Sequence, residues 1–278
     1  AIIFKIFNQS VFVPRLIMSI IFSFCPILFF LIGKKFMPYL YAIIPSLLLI
    51  LLDVNIERLY FLTPNLLGLL IFLNGLIKKQ DVLFLFAGFF IGIGSLFRLD
   101  ISGVFGISFL ITSCIYFYLD NEENWIIRSL RSYLNLGIGF AIPLGFVFYW
   151  LVNNNILIPF FEHAFIKSTL ITKLHDLPFP KIIQVIPESL NLSELYKSYF
   201  AVYAYSLLLT YLVVGILIIK NFKLFFKKIT GIVVLLFAGL LTLPYVYGRT
   251  EMGHLIKGGI PFLFLGAYLL FLSVKFIK

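Results

Sequence analysis

Arg98 and Asp100, in the segment SLFRLDISG, stand between two long apolar runs. Placing an Arg or Asp deep in a membrane helix costs about 2.5–3.5 kcal/mol on insertion scales, so such residues need compensation. Spacing i,i+2 does not bring two side chains onto one helical face. A turn places the pair better, with both side chains directed into a polar cavity. The chemistry open to them is anion binding, with Arg98 on a phosphate and Asp100 orienting the guanidinium or a sugar hydroxyl. A helix-end ion pair that holds a hairpin would use the same two residues.

A second set, Arg249, Glu251, His254 and Lys257, lies in RTEMGHLIK. In a helix Glu251 and His254 are i,i+3, as are His254 and Lys257, so they share a face. Three basic groups beside one carboxylate suit an anionic ligand such as a lipid phosphate, or else anchor an interfacial loop. A metal site is not expected, because one His and one Glu are too few ligands. Asp53, Glu57 and Arg58 form a smaller group, one acid of which could line a cavity. There is no Gly-rich phosphate loop, GxSxG elbow or HExxH.

The elements that carry these groups follow from composition. Of 278 residues, 62% are hydrophobic and 12% charged, and the mean hydropathy is +1.07. A soluble domain of this size cannot hide that much apolar side chain. In a bilayer the backbone must satisfy itself, as helices or a closed barrel. The runs are continuously apolar, which excludes the barrel. The expected fold is an all-α polytopic membrane protein forming one transmembrane domain over 1–278. Nine spans are predicted near 12–32, 36–52, 59–77, 82–97, 101–119, 133–152, 200–219, 231–247 and 259–274. Several have only 16 or 17 residues, about 25 Å of helix against a hydrocarbon core of roughly 30 Å.

Charge sorts the gaps between these runs. One set holds Lys34, Lys35, Lys78, Lys79, Arg128, Arg131, Lys220, Lys223, Lys227, Lys228, Lys275 and Lys278. The other short gaps hold only Arg58, Arg98, Arg249 and Lys257. The twelve-to-four split predicts that the first set is cytoplasmic. Residues 1–11, 53–58, 98–100, 155–199 and 248–258 then face outward. The net charge of +10 thus reflects orientation, and nucleic acid is not an expected partner. Residues 1–8, AIIFKIFN, read as an amphipathic helix on the outer interface. A chain that enters from outside and begins with Ala1 is expected to be a fragment with an upstream helix.

The long outer loop 155–199 holds Glu162, His163, Lys167, Lys173, His175, Asp176 and the run Leu177–Pro180. Proline and aromatic residues there suggest an ordered cover, with helical pieces near 158–172 and 192–199. Asn8-Gln-Ser10 and Asn191-Leu-Ser193 match a glycosylation sequon, which matters only in a eukaryote. Helices 82–97 and 101–119 are expected to form a tight hairpin through Gly88 and Gly92 and through Ser102 and Gly106, since small residues let backbones approach. Cys25 and Cys114 lie in apolar runs and read as small core residues.

Taken in order, these features resemble the GT-C superfamily of membrane glycosyltransferases. The likeness is to the large family of dolichyl-phosphate-mannose protein mannosyltransferases and the related bacterial RgtA/B/C/D-like and ArnT-like enzymes. The entry FKIFNQSVFVPRL resembles the stretch after their first outer loop. AGFFIGIGSLFRLDISGVFGI resembles a glycine-rich segment ending in Arg and Asp, HDLPFP a Pro-rich outer segment, and GRTEMGHLIKGGIPFL a late outer segment with Glu251 where an Asp is usual. The resemblance implies inverting transfer of a sugar from a polyprenyl-phosphate donor to a lipid, glycan or protein acceptor, on the outer face of a bacterial plasma membrane. It implies an acidic residue, acting as the catalytic base, in a first outer loop upstream of Ala1. Arg98, Asp100, Arg249, Glu251, His254 and Lys257 become the substrate-binding candidates. Family members differ over a divalent metal, so metal dependence stays open, and no other cofactor is implied. Two other classes use similar features: a transporter or lipid flippase domain, and an O-antigen polymerase or ligase-like enzyme. A non-catalytic membrane scaffold is a further reading.

Overall fold

A computed structural model describes residues 12–51, 61–120, 124–162, 179–187, 189, 191–248 and 259–277. Every regular element among them is helical. They are α1 (Phe12–Ser23), α2 (Cys25–Gly33), α3 (Tyr39–Leu51), α4 (Leu62–Lys78), α5 (Asp81–Phe97), α6 (Leu99–Leu119), α7 (Trp125–Asn153), α8 (Leu157–Phe161), α9 (Leu192–Lys220), α10 (Phe222–Lys228), α11 (Thr230–Gly248) and α12 (Ile260–Ile277), with a 3₁₀ turn at Ile182–Val185.

Among the described residues, four helical stretches are long and apolar enough to cross a membrane: Arg15–Gly33, which α1 and α2 share, then Leu99–Leu119, Trp125–Asn153 and Glu194–Lys220. The bent pair Phe222–Lys228 and Thr230–Pro244 makes a fifth if it is one span. Tyr39–Leu51, Leu62–Lys78, Asp81–Phe97 and Ile260–Phe276 are apolar but shorter. A 17-residue helix reaches about 25 Å, less than the hydrocarbon core.

Two boundaries depart from the expected spans. α7 begins at Trp125, eight residues before the expected 133, because Arg128 and Arg131 sit on its first two turns and pair with Asp81 at 3.7 and 3.4 Å. Long basic side chains can thus extend a helix past the apolar zone. The pieces expected at 192–199 and 200–219 are one helix, α9. Asn191 caps it by accepting the Glu194 N–H at 2.9 Å, and no Gly or Pro interrupts the chain from Leu192 to Val214.

The core runs through the whole assembly and is built of stacked rings. Phe72 of α4 lies 4.2 Å from Phe109 of α6, and Phe29 of α2 lies 4.5 Å from Phe264 of α12. The outside is equally apolar. Ile126, Leu130, Leu134, Ile138, Ile142 and Phe146 form an exposed stripe at i,i+4 spacing along α7. A continuous stripe of this kind is a liability in water and ordinary in lipid. The fold is compatible with an integral membrane protein.

α5 is the central element, packed along α4, α6 and α7. The tight glycine contact expected between α5 and α6 is instead made between α5 and α7. A Cβ added at Gly88 would strike the Leu136 carbonyl, and one at Gly139 would strike the Leu85 carbonyl. At Gly92 a Cβ would lie 2.6 Å from both the Phe140 oxygen and the Pro143 ring. Gly106 of α6, by contrast, meets only Ile91, at 3.9 Å. Gly88 and Gly92 are therefore contact glycines, but for a helix two steps along the chain. Among the described cysteines, Cys25 is fully buried and Cys114 partly so, and both are free thiols.

Gly88→Ala or Gly139→Ala should destabilise the protein by about 1–3 kcal/mol, since either forces two backbones apart. Gly137→Ala, on α7 with nothing within 4 Å of its added Cβ, should be neutral or gain up to about 1 kcal/mol of helix propensity. Thermal unfolding in detergent checks this, and equal midpoints for all three would refute the close contact.

Candidate functional site

The last turn of α5 carries the chain out of its packed sandwich and delivers Arg98. This residue belongs to neither helix. With φ −147° and ψ 86° it ends α5 and begins α6, its N–H still bonded to the Gly94 carbonyl at 3.0 Å. The break lets i and i+2 side chains meet, which a continuous helix forbids. Arg98 Nη2 reaches Asp100 Oδ2 at 2.5 Å and Nε reaches Oδ1 at 3.0 Å. This is a two-point fork, the strong form of the Arg–carboxylate bond. Asp100 also lies in the first turn of α6, where the helix dipole favours a negative charge. The guanidinium sits 5.8 Å from the Phe61 ring centroid. Its side chain is 25% exposed and that of Asp100 45%, so the pair stands at an opening and is not sealed in the core.

The opposite end of the same helices is different. There Lys79 pairs with Asp120 at 2.5 Å, Lys227 approaches Asp120 at 3.9 Å, and Arg128 and Arg131 share Asp81. The Arg128 guanidinium also donates to the Lys79 carbonyl. Lys79 takes a left-handed conformation, φ 54°, so that the chain turns from α4 into α5 within two residues. The two ends of α5 thus carry separate charge systems about 25 Å apart.

One helical turn inward from Arg98 lies a polar group that sequence reasoning did not single out. Asn65 of α4 and Ser102 of α6 are both fully buried. They converge on Gly94, whose added Cβ would meet the Asn65 Oδ1 and lie 2.8 Å from Ser102 Oγ. Neither the Asn65 carboxamide nor the Ser102 hydroxyl has a hydrogen-bond partner among the described residues. A buried polar group without a partner costs about 1–3 kcal/mol. The available signal was an Asn inside the apolar run LTPNLLGLL, since polar residues within such helices are costly and functional by default. Ser102 had been noticed only for its small size.

Ser102 also lines a groove of about 380 Å³ between α5, α6 and α7, floored by Gly103, Gly106 and Gly137 and closed by Tyr133, whose hydroxyl donates to the Leu110 carbonyl at 2.9 Å. The groove is apolar except at these two hydroxyls.

Of the other sequence candidates, Arg249, Glu251, His254 and Lys257 lie outside the described residues, as do Asp53, Glu57 and Arg58 and residues 163–178 of the long loop. The end of that loop is placed. Phe179 meets the Tyr205 ring edge-on at 5.6 Å, the Tyr205 hydroxyl donates to the Pro180 carbonyl at 2.9 Å, and Ser198 Oγ donates to the Val185 carbonyl at 2.6 Å. The segment after the prolines is therefore laid against α9. No group of three or more His, Cys, Asp or Glu side chains able to hold a metal occurs among the described residues.

Gly94→Ala should lower stability by about 1–3 kcal/mol by driving into Asn65 and Ser102. Asn65→Leu, of similar volume, should raise the thermal midpoint, because it removes two unpaired polar atoms from the core. A lower midpoint for Asn65→Leu would show that the carboxamide is bonded in the folded protein.

Searches against family models, curated proteins and solved structures find no match to this chain.

Proposed function

We propose that the chain is the membrane module of a glycosyltransferase that moves a sugar from a polyprenyl-phosphate donor to a lipid, glycan or protein acceptor. The observation that carries this reading is the Arg98–Asp100 fork, a half-exposed charge pair at the mouth of an apolar bundle, at the end away from the lysine-rich one. In this reading the short helices cross as well, giving nine spans. The lysine-rich end is cytoplasmic, and Arg98 faces the outer side of a bacterial plasma membrane.

The implied chemistry is inverting displacement at the anomeric carbon. The leaving group is a lipid phosphate, and its growing charge needs fixed positive groups. Arg98 supplies one. A bound phosphate would compete with Asp100 for the guanidinium fork and free the carboxylate to orient a sugar hydroxyl. Arg249, His254 and Lys257 are assigned to the same phosphate, and Glu251 to holding the basic groups in register. No residue of this chain is assigned as the catalytic base.

A second reading, a transporter or flippase domain, is favoured by two observations. The α10–α11 axis bends by 104°, and Asn65 and Ser102 lie unpaired beside the helix break at Arg98. Broken helices beside buried polar groups are a transporter device. Lipid-phosphate-dependent flux across reconstituted vesicles without sugar transfer would favour it.

Arg98→Ala should abolish transfer while the protein still inserts and purifies, with Arg98→Lys recovering only part because an ammonium lacks the planar fork. If the pair only anchors the hairpin, Arg98→Ala should instead lower the thermal midpoint. A stable, fully active Arg98→Ala would reject both roles.

Arg249→Ala and His254→Ala should each weaken binding of a polyprenyl phosphate about ten- to a hundred-fold, the cost of one charge-assisted bond. Titration against the purified protein checks this, and unchanged donor affinity would remove the 249–257 cluster from the site.

A further inference from the structure

α10 turns a corner. Its axis makes 104° with Thr230–Pro244 of α11. Ile229, at φ −130° and ψ 37°, breaks the helix. The Thr230 hydroxyl closes the break onto the Phe226 carbonyl at 2.5 Å, and the Ile232 N–H bonds to the Ile229 carbonyl at 2.9 Å as α11 begins.

The seven residues FKLFFKK divide cleanly at 100° per residue. Phe222, Phe225 and Phe226 share one arc. Phe225 and Phe226 are buried, with Phe225 edge-on to Tyr268 of α12 at 6.1 Å and Phe226 4.7 Å from Phe222. Lys223, Leu224, Lys227 and Lys228 occupy the opposite arc and are exposed. Three lysines in seven residues exclude a deep membrane position. A helix set nearly perpendicular to the apolar helix it leads into, with its lysines outward and an exposed Leu among them, matches the interfacial plane of a bilayer.

The surrounding charge leaves this face positive. Asp120 is shared between Lys79 and Lys227, and Asp81 is taken by Arg128 and Arg131. Across the gaps at this end, twelve Lys and Arg stand against four acids, Asp81, Asp120, Glu122 and Glu123.

We propose that α10 is a docking surface for the headgroups of anionic phospholipids, with Lys223, Lys227 and Lys228 on the phosphodiesters and Leu224 at the acyl boundary. The proposal needs only that the apolar helices sit in a bilayer and is independent of glycosyl transfer. A juxtamembrane lysine contributes about a fivefold preference for an anionic surface, a preference that salt screens.

The test places a reporter by Leu224→Trp and reconstitutes the full chain in phosphatidylcholine vesicles containing either brominated phosphatidylglycerol or brominated phosphatidylcholine. Quenching is read against the parent protein, whose Trp125 and Trp150 set the background. The expected result is stronger quenching by the brominated phosphatidylglycerol. That preference should fall about fivefold for each of Lys223→Gln, Lys227→Gln and Lys228→Gln, and decline with added salt. Lys34→Gln, at an exposed lysine on another helix end, should leave it unchanged. Equal, salt-independent quenching by the two lipids would reduce the contact to ordinary annular lipid and overturn the proposal. Absence of quenching by either would place α10 in water and overturn it too. If a variant with all three substitutions does not purify, the single Lys228→Gln and the salt titration decide the matter.

Discussion

The approach of α5 to α7 governs the rest of the molecule. Hydrocarbon gives two apolar helices little reason to associate, so packing and backbone proximity must supply it. Here three glycines do so reciprocally, Gly88 and Gly92 on one helix and Gly139 on the other, each facing a backbone where a methyl group would not fit. With α7 on one side and, on the other, its own Phe84 set edge-on between Phe72 and Phe117, α5 is held against rotation. The position of its last residue follows. Arg98 is where it is because α5 is held along its whole length, and the break that frees its side chain falls where the glycine contact ends.

The two ends of the bundle solve the burial of charge in different ways. At the lysine-rich end the pairs are spread across loops and helix starts, so that Asp81 and Asp120 each tie several elements together. Exposed pairs of this kind contribute little each, typically under about 1 kcal/mol, and their value lies in registering neighbours. At the other end one fork is closed between residues two apart. It sits on the junction between α5 and α6.

The helical class and the approximate limits of most elements were legible, because apolar runs and Gly or Pro punctuation are local signals. So was the spacing of Gly88 and Gly92 as a close-contact motif. Its partner was not. Adjacency in sequence pointed to α6, and Ser102 and Gly106 do face α5, at Gly94 and Ile91, but the backbone approach at Gly88 and Gly92 is made to α7. The start of α7 and the unity of α9 depend on distant or polar contacts and not on the apolar runs: Arg128 and Arg131 ride on α7 and reach back to Asp81, and Asn191 caps α9 ahead of its apolar stretch. The Arg98–Asp100 turn was legible, and so was an ion pair between the two side chains at the helix end; its two-point form was not, because that depends on the dihedrals of one residue. Asn65 was passed over because its convergence with Ser102 spans three helices, and nothing local announces it.

The unequal lengths of the lipid-facing helices have a mechanical consequence. α3 offers 13 residues, about 20 Å, and its outer side chains Leu40, Ile43, Leu47 and Leu51 are exposed. α7 offers 29 residues, about 43 Å, on another flank. A bilayer about 30 Å thick cannot match both. If α3 crosses, as the nine-span reading has it, the bilayer thins beside α3, while α7 tilts or carries its first turns out of the hydrocarbon. Each ångström of misfit costs a fraction of a kcal/mol, so under that reading the short α3 and the long α7 would hold the bilayer at unequal thickness on two flanks of one molecule.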